Sequence, residues 1–252
     1  MTKEGKIILF MGSKGGCGQT FISNCIANYL ASHSALNILM IDMNFGSKDS
    51  RIIYKISEED VRTIFDIKDD VKNLDEKILK KIIVNFSNSL NYIFPPLNYD
   101  ISKKLSFKLL EKILKILKRS FNLIILDCNF YIDFNINSGS LFDLIDEIVL
   151  VSLPNIISLG NLNVLLKYFL NFKEYLDIKV MINKFNLRPA LPFSSINNVI
   201  KYPIDLFLPY DKDIEQLYVM KGPASIFSYN LRIVRDLMEM SKRIEEEVRD
   251  LT

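Results

Sequence analysis

A glycine-rich loop is the feature of this sequence best suited to do chemistry. It joins an apolar run at residues 6–11 to a helix-like segment at 21–32, and it reads Ser13-Lys14-Gly15-Gly16-Cys17-Gly18-Gln19-Thr20. Glycines permit positive φ and let backbone N–H groups approach a phosphate, while a helix N-terminus adds a favourable dipole. Thr20 stands where its hydroxyl could bind Mg²⁺. The loop therefore predicts a phosphate site; the alternative is a glycine-rich turn that binds nothing.

Two aspartates occupy the ends of apolar runs elsewhere in the chain. They are Asp42 and Asp127. A strand that delivers one carboxylate to its end suits a magnesium shell, although a strand-end turn residue has the same pattern. We predict that Thr20 and Asp127 bind Mg²⁺, whereas Asp42, taken alone, is better explained as a turn residue at a strand end. Asn44 follows close behind Asp42, and its amide can bind a water molecule but cannot accept a proton from it.

These residues need a sheet to bring them together. Apolar runs that predict strands lie at 6–11, 37–42, 90–95, 123–127, 147–153, 178–183 and 204–208, and helical patterns lie at 21–32, 106–120, 159–176 and 229–250. Continuous apolar runs are typical of strands covered on both faces, and their alternation with helices indicates a parallel sheet. We predict an α/β fold with a mostly parallel central sheet, helices on both faces, three layers, and one domain over residues 1–252. Residues 50–88 are the least clear, with helical pieces that we expect at the surface.

The bulk composition is that of an ordinary globular protein. Hydrophobic residues make up 49% of the 252 residues, charged residues 25%, and the formal net charge is +2. This charge gives no global field that would attract nucleic acid or an anionic membrane. Cys17, Cys25 and Cys128 show no metal-binding or disulfide spacing, and we predict that Cys17 and Cys128 are small apolar core residues. No apolar run approaches the roughly 18 residues of a membrane span, and the polar start leaves no room for a signal peptide, so we expect a cytoplasmic protein.

The loop resembles the deviant phosphate loop of the MinD/ParA family, which reads Lys-Gly-Gly-x-Gly-Lys followed by Thr or Ser. Five of its seven positions match, Cys17 falls on the free position, and Gln19 stands where the family has its second lysine. The resemblance covers residues 6–223 and is closest to the branch of flagellar-number and pilus-localising relatives (FlhG-like, CpaE/TadZ-like). It implies a P-loop nucleotide-binding fold, with ATP or ADP and Mg²⁺ as cofactors.

The resemblance also implies roles for single residues. Lys14 matches the signature lysine, which reaches across a homodimer to the phosphates held by the other subunit. Asp42 matches the first aspartate of the family's Asp-x-Asp-x-Gly segment, which adds Asp42 to Thr20 and Asp127 as a predicted Mg²⁺ ligand. Asn44 stands where the family has the second aspartate, which orients the attacking water, so Lys14 and Asn44 are the candidate catalytic positions, the second of them degenerate. Asn183 matches an asparagine that reads the adenine edge, and Pro209 and Asp211 match a loop that closes over the base.

The departures from the family pattern leave three functions open. Phosphoryl transfer spreads negative charge over the phosphates, and the loss of one stabilising group typically costs about a hundredfold or more in rate. The first function is an ATP-dependent dimeric switch, with slow or no hydrolysis, that positions a flagellum, pilus, division site or chromosome. The second is a pseudo-ATPase scaffold that works by binding a partner. The third is an ATP-dependent small-molecule ligase, although the single histidine, His33, has no acid–base cluster around it.

The terminal helix bears on the choice of partners. Its apolar residues share one face, but its last turns mix glutamates with lysine and arginine, so we expect a core or interface helix rather than a membrane anchor. No basic patch with interleaved aromatic residues is evident, and we expect no nucleic-acid partner. The expected partners are a second copy of the chain and an unidentified protein.

Overall fold

The structure is a computed structural model that describes residues 4–45, 47, 49–57, 61–96, 107–129, 142–172, 176–188 and 190–251. Its strands are β1 (Lys6–Gly12), β2 (Ile38–Asp42), β3 (Val84–Asn85), β4 (Leu90–Ile93), β5 (Leu123–Cys128), β6 (Glu147–Ser152), β7 (Asp177–Ile182) and β8 (Leu206–Phe207). All seven predicted strands are present. The short β3 had no signal in the sequence.

The strands form one sheet in the order β3-β4-β2-β5-β1-β6-β7-β8. Among the described strands only β3 runs antiparallel, against β4. In this order β2 and β5 lie on one side of β1, and β6 lies on its other side. The connections therefore change direction at β1. In open sheets of this kind the crevice beyond the carboxyl end of such a strand is the usual ligand site. The glycine-rich loop follows β1 directly and therefore lies in that crevice.

The helices are α1 (Gln19–His33), α2 (Asp49–Ile53), α3 (Glu76–Leu79), α4 (Phe107–Leu117), α5 (Ile156–Phe172), α6 (Phe193–Val199), α7 (Lys212–Lys221) and α8 (Arg232–Leu251), with 3-10 segments at Ile64–Asn73 and Pro223–Ser228. The four predicted helices correspond to α1, α4, α5 and α8. His33 ends α1, one residue beyond the predicted helix at 21–32, and its ring nitrogen Nδ1 lies 2.9 Å from the Tyr29 carbonyl oxygen one turn earlier.

Both faces of the sheet are buried. Along β1, Ile7 and Leu9 pack into a core shared with α4 and α5, whereas Ile8 and Phe10 pack into a core shared with α1, α7 and α8. Because successive side chains of a strand point to opposite faces, a strand buried on both faces must be apolar throughout. The predicted fold class, with helices on both faces of a mostly parallel sheet, is confirmed.

The expectation that residues 50–88 lie at the surface is wrong in part. Ile64, Leu79 and Ile82 are buried in the core on the α4 side of the sheet, and Ser50 and Arg51 are also buried. Helical pieces this short are marginal in isolation and depend on tertiary packing, which leaves only weak periodicity in the sequence.

The terminal helix α8 packs against α1 on the sheet and buries Val234, Leu237, Ile244 and Val248. This confirms that α8 is a core helix. At the amino edge of the sheet its Glu247 forms an ion pair with Lys6, which also pairs with Glu147. Within the described parts of the chain, no helix has the length and apolar character needed to cross a membrane.

Candidate functional site

The glycine-rich loop is attached to the end of β6 as well as to β1. The backbone N–H of Ser13 donates to the carbonyl of Val151 over 2.8 Å, and its hydroxyl donates to that of Ser152 over 3.0 Å. Ser13 also lies 3.4 Å from the Cys17 sulfur across the loop. Ser13 and Cys17 are therefore internal supports of the loop, and both are fully buried.

The exposed part of the loop has the backbone geometry that a phosphate site needs. Gly16 and Gly18 have φ of +79° and +89°, which favour glycine at both positions. Gly15 and Gly16 are exposed, and Lys14 is half-buried beside them. Gly18 caps α1, whose first turn carries no acidic residue. The positive end of the helix dipole thus faces the crevice, and no acidic side chain of that first turn neutralises it.

Gln19 does not extend into the crevice as a phosphate-loop lysine would. It is buried, and its side chain folds back over the start of the loop: a Cβ atom at Gly12 would lie only 2.6 Å from Gln19 Oε1. Gly12 therefore leaves room for Gln19. The substitution replaces a cation with a neutral amide that fills space within the loop.

The two predicted carboxylates meet at the carboxyl edge of the sheet. Asp42 ends β2, and the strand register places it beside Asp127 of β5. Asn44 bridges the pair, since its Nδ2 donates to Asp42 Oδ1 over 2.8 Å and to Asp127 Oδ2 over 2.9 Å. Ser50 donates to the other oxygen of Asp42. All four side chains are at least nine-tenths buried.

Burial affects the protonation of this pair. Burial and the neighbouring Asp42 charge raise the pKa of Asp127 well above its usual range, against the smaller opposing effects of Thr20 and Asn44. Burial also raises the pKa of Asp42, although hydrogen bonds from Ser50 and Asn44 oppose the shift. A cation beside the pair would stabilise the ionised carboxylates.

The donor set fits Mg²⁺. Among the described residues, Asp127 Oδ1 and Asn44 Oδ1 are buried oxygens without a hydrogen-bond partner, and buried polar atoms of this kind are expected to have one. Mg²⁺ prefers oxygen ligands and is commonly held by one or two carboxylates together with substrate phosphates. Thr20, in the first turn of α1, lies near enough to Asp127 to influence its pKa. The structure thus places Thr20, Asp42 and Asp127 together, as predicted; their binding of metal remains a prediction.

A pocket opens beside Gly18 on the α7 side of the loop. It encloses about 560 Å³ of space that is open to solvent on one side. Its lining includes the three residues predicted to contact a base, Asn183, Pro209 and Asp211. Residues that sequence reasoning did not identify also line it, namely Phe21, Lys184, Tyr210, Ile214, Glu215, Tyr218, Val219 and Ile233. Their aromatic and aliphatic side chains suit a flat, largely apolar ring.

The side-chain amide of Asn183 forms two hydrogen bonds within the protein. Its Nδ2 donates to the Cys17 carbonyl over 2.9 Å, and its Oδ1 accepts from the Lys184 backbone over 2.8 Å. The side chain is 3% exposed and lies against Gly18. These bonds use one N–H of Nδ2 and one lone pair of Oδ1, which leaves a second donor and a second acceptor position on the Asn183 amide for a base edge.

The remaining candidates lie away from this chemistry. Cys17 and Cys128 are buried on opposite faces of the sheet, which agrees with their predicted role as apolar core residues. His33 stacks on Tyr29 at the far end of α1, with 4.2 Å between ring centroids. After Asp127 the sequence reads Cys128-Asn129-Phe130, where the family usually has Thr or Ser, then Pro and Gly, and residues 130–141 lie outside the described part of the chain. No group of three or more histidine, cysteine or acidic side chains in the described chain could hold a metal, which leaves the Asp42–Asp127 pair as a two-carboxylate site.

Comparison with known proteins identifies a matching family model and solved structures of the same fold. The family model described as an AAA domain matches residues 5–182. No curated protein sequence matches the chain. Among solved structures, a ParA family ATPase from Chlorobium tepidum TLS is 22% identical, with a TM-score of 0.82 over 96% of this chain and 99% of that one.

Two further structures contain nucleotide. MinD from Pyrococcus horikoshii OT3, complexed with Mg-ADP, is 16% identical with a TM-score of 0.75 over 98% of both chains. A putative plasmid partition protein from Borrelia burgdorferi B31, bound to AMPPNP, is 19% identical with a TM-score of 0.69 over 97% of this chain and 100% of that one.

The sheet order and the loop after β1 define a member of the P-loop class. Because the family model covers well over half of the sequence, the chain belongs to this AAA-domain family, and the predicted membership of the MinD/ParA group of P-loop ATPases is confirmed.

Proposed function

We propose that this protein binds ATP or ADP with Mg²⁺ and acts as a nucleotide-dependent dimeric switch. The observation that carries the proposal is the junction at Gly18. There the positive-φ loop, the buried carboxylate Asp127 and the pocket lined by Asn183 meet at one edge of the sheet. Phosphates on the loop, Mg²⁺ on the carboxylates and a base in the pocket would occupy three adjoining spaces.

The dimer is inferred from the surface around the loop. Lys14 is half-buried and forms no ion pair with the described residues. Ile156 and Ile157, at the start of α5, are 63% and 68% exposed. They follow the end of β6, to which the loop is bonded through Ser13. An unpaired cation and exposed isoleucines at the rim of a ligand site favour a second copy of the chain, related by a two-fold axis.

Slow hydrolysis follows from the residues that have replaced charged ones. Gln19 supplies no positive charge to the phosphates, and the Asn44 amide has its N–H₂ group bonded to both carboxylates. The Gln19 amide cannot stabilise the transition state as a lysine would. The Asn44 amide cannot accept a proton as an aspartate would. The switch would therefore persist in its bound form long enough to engage a protein partner and position a flagellum, pilus, division site or chromosome.

The melting temperature with nucleotide tests the binding proposal. Millimolar ATP or ADP with Mg²⁺ should raise it with increasing ligand, since ligand that binds only the folded state stabilises it by mass action. Asp127→Asn should remove the effect of Mg²⁺. The matched control is Asp146→Asn, at the opposite edge of the sheet beside Lys118. GTP should give a smaller shift than ATP. No shift with any nucleotide would overturn the proposal.

A pseudo-ATPase scaffold is the second candidate, and one observation favours it. The loop and the carboxylates are already held by protein groups, with Asn183 bonded to Cys17 and Asn44 bonded to Asp127. A site held in this way could keep its shape without a ligand. The melting experiment separates the two functions, since a scaffold without nucleotide shows no shift.

A further inference from the structure

The short helix α2 is held in place by buried side chains. It spans five residues, Asp49–Ile53, which is too short to be stable on its own. Ser50 is fully buried and Arg51 is 4% exposed, whereas Ile52, on the outer face of the helix, is 65% exposed. Arg51 donates to the Pro95 carbonyl over 3.1 Å at the end of β4. The inner face of α2 is thus attached to the sheet near its carboxyl edge.

The first link to the nucleotide site runs through Ser50. Its hydroxyl donates to Asp42 Oδ2, while Asp42 Oδ1 accepts from the backbone and side-chain nitrogens of Asn44, each over 2.8 Å. Both oxygens of Asp42 are therefore oriented by hydrogen bonds. Of these donors, only Ser50 comes from outside the strand end that carries Asp42.

The second link runs through Tyr54, one turn after Ser50. Its backbone N–H donates to the Ser50 carbonyl over 2.9 Å, which places the two residues on one face. The Tyr54 hydroxyl donates to Asn24 Oδ1 over 2.8 Å and accepts from Asn28 over 2.7 Å. Asn24, which is fully buried in α1, donates in turn to the Thr20 carbonyl over 2.8 Å.

We propose that Ser50 and Tyr54 are positioning residues for the magnesium side of the nucleotide site, one through Asp42 and the other through Asn24 and the turn that carries Thr20. This inference rests on the proposed function. Because Ser50 lies in α2 and Tyr54 follows its last residue, a displacement of α2 would disturb both together. By linkage, binding of Mg²⁺ and nucleotide must stabilise α2 to the same extent that an ordered α2 favours their binding.

The chain offers a matched control for each variant. Tyr54→Phe removes a hydroxyl with two hydrogen bonds. Tyr92→Phe removes a buried hydroxyl that has no hydrogen-bond partner in the described part of the chain, and the Tyr92 ring centroid lies 5.1 Å from that of Tyr54. Ser50→Ala removes the donor to Asp42. Its control, Ser158→Ala, removes a fully buried hydroxyl of α5 that has no hydrogen-bond partner among the described residues.

The experiment is calorimetric titration of ADP, with and without Mg²⁺, into the full chain and the four variants. Ser50→Ala and Tyr54→Phe should each lower the gain in ADP affinity caused by Mg²⁺ by about tenfold, the usual effect of losing a group that orients a metal ligand. Affinity for ADP without Mg²⁺ should change by less than about twofold, because the loop itself is intact. The two control variants should match the unaltered protein in both conditions.

A second measurement on the unaltered chain avoids any folding defect in the variants. Hydrogen exchange of residues 49–57 should slow on addition of ADP with Mg²⁺ and much less with ADP alone. A chain that binds ADP with Mg²⁺ but shows an unchanged Mg²⁺ gain in Ser50→Ala and Tyr54→Phe would overturn this inference alone. Exchange of residues 49–57 that is unaffected by Mg²⁺ would do the same. A chain that binds no nucleotide overturns the proposed function and this inference with it.

Discussion

The side-chain amide of Asn44 donates a 2.9 Å hydrogen bond to Oδ2 of Asp127 and a 2.8 Å bond to Oδ1 of Asp42. Two buried carboxylates lie side by side here, and a neutral donor stands between them. An aspartate at position 44 would add a third carboxylate and remove the shared donor. Asn44, to which the proposed function assigns the weak activation of water, thus stabilises the carboxylate pair in the absence of a cation.

Asn44→Asp should therefore destabilise the protein in the absence of metal. The loss of a donor to two buried carboxylates predicts a fall of about 1–3 kcal/mol in the free energy of unfolding. Mg²⁺ with ADP should restore much of the lost free energy of unfolding. Urea denaturation with and without both ligands measures the effect. Equal stability of the variant and the unaltered protein in chelator would show that Asn44 is not needed to hold the pair.

Restoring both charged groups should speed hydrolysis. The double variant Gln19→Lys with Asn44→Asp should release phosphate faster than either single variant, and at least about tenfold faster than the unaltered protein, because each group acts on the same transition state. The measurement is phosphate release at saturating ATP and Mg²⁺. Rapid turnover by the unaltered protein would mean that another group performs this work.

Lys14→Ala should weaken nucleotide-dependent dimerisation while leaving the monomer folded. A two-fold axis makes the contact reciprocal, so one substitution removes two charge-assisted contacts. Light scattering at several protein concentrations, with and without ATP, gives the dimer fraction. The control is Lys80→Ala, which removes an exposed lysine that pairs with Glu76, four residues earlier. A protein that stays monomeric in saturating ATP contradicts the dimeric switch.

Asp211→Ala should lower both stability and nucleotide affinity. The Asp211 carboxylate caps α7 by accepting from the backbone of Asp213 and Ile214, and it lines the pocket beside Gly18. Losing such a cap costs about 1 kcal/mol. Asp75→Ala is the matched control, because Asp75 caps α3 in the same way but does not line the pocket. If both variants lose stability equally and neither loses affinity, Asp211 has only a structural role.

Stability should depend on pH through Glu147, at the edge of the sheet opposite the loop. Burial raises the pKa of Glu147 from 4.5 to about 7, although the adjacent Lys6 opposes the shift. An acid with a raised pKa in the folded state binds more protons folded than unfolded, so its contribution to stability falls as pH rises from about 4.5 through 7. Between pH 5.5 and 8.5 this amounts to about 2 kcal/mol. Glu147→Gln should flatten the profile. An unchanged profile in that variant would assign the pH dependence to other groups.

The sequence by itself determined the parts of this protein that depend on neighbours along the chain. Continuous apolar runs such as residues 6–11 identify strands that are buried on both faces, because successive side chains pack alternately into the two cores. The glycines at 16 and 18 identify the phosphate loop, because their positive φ favours the residue without a side chain. The same local signals carried the resemblance to the MinD/ParA family.

Only the tertiary structure decided how the site residues are held. Asn183 bonds to Cys17 across 166 positions of the chain, and Asn24 bonds to Tyr54 across 30. Asn44 looks in the sequence like a lost carboxylate, but pairing of β2 with β5 makes it the donor that two aspartates share. Local periodicity encodes which face of an element is buried. Which polar groups then meet depends on the strand register and on the placement of the helices. Both are determined jointly by residues that are distant in the chain.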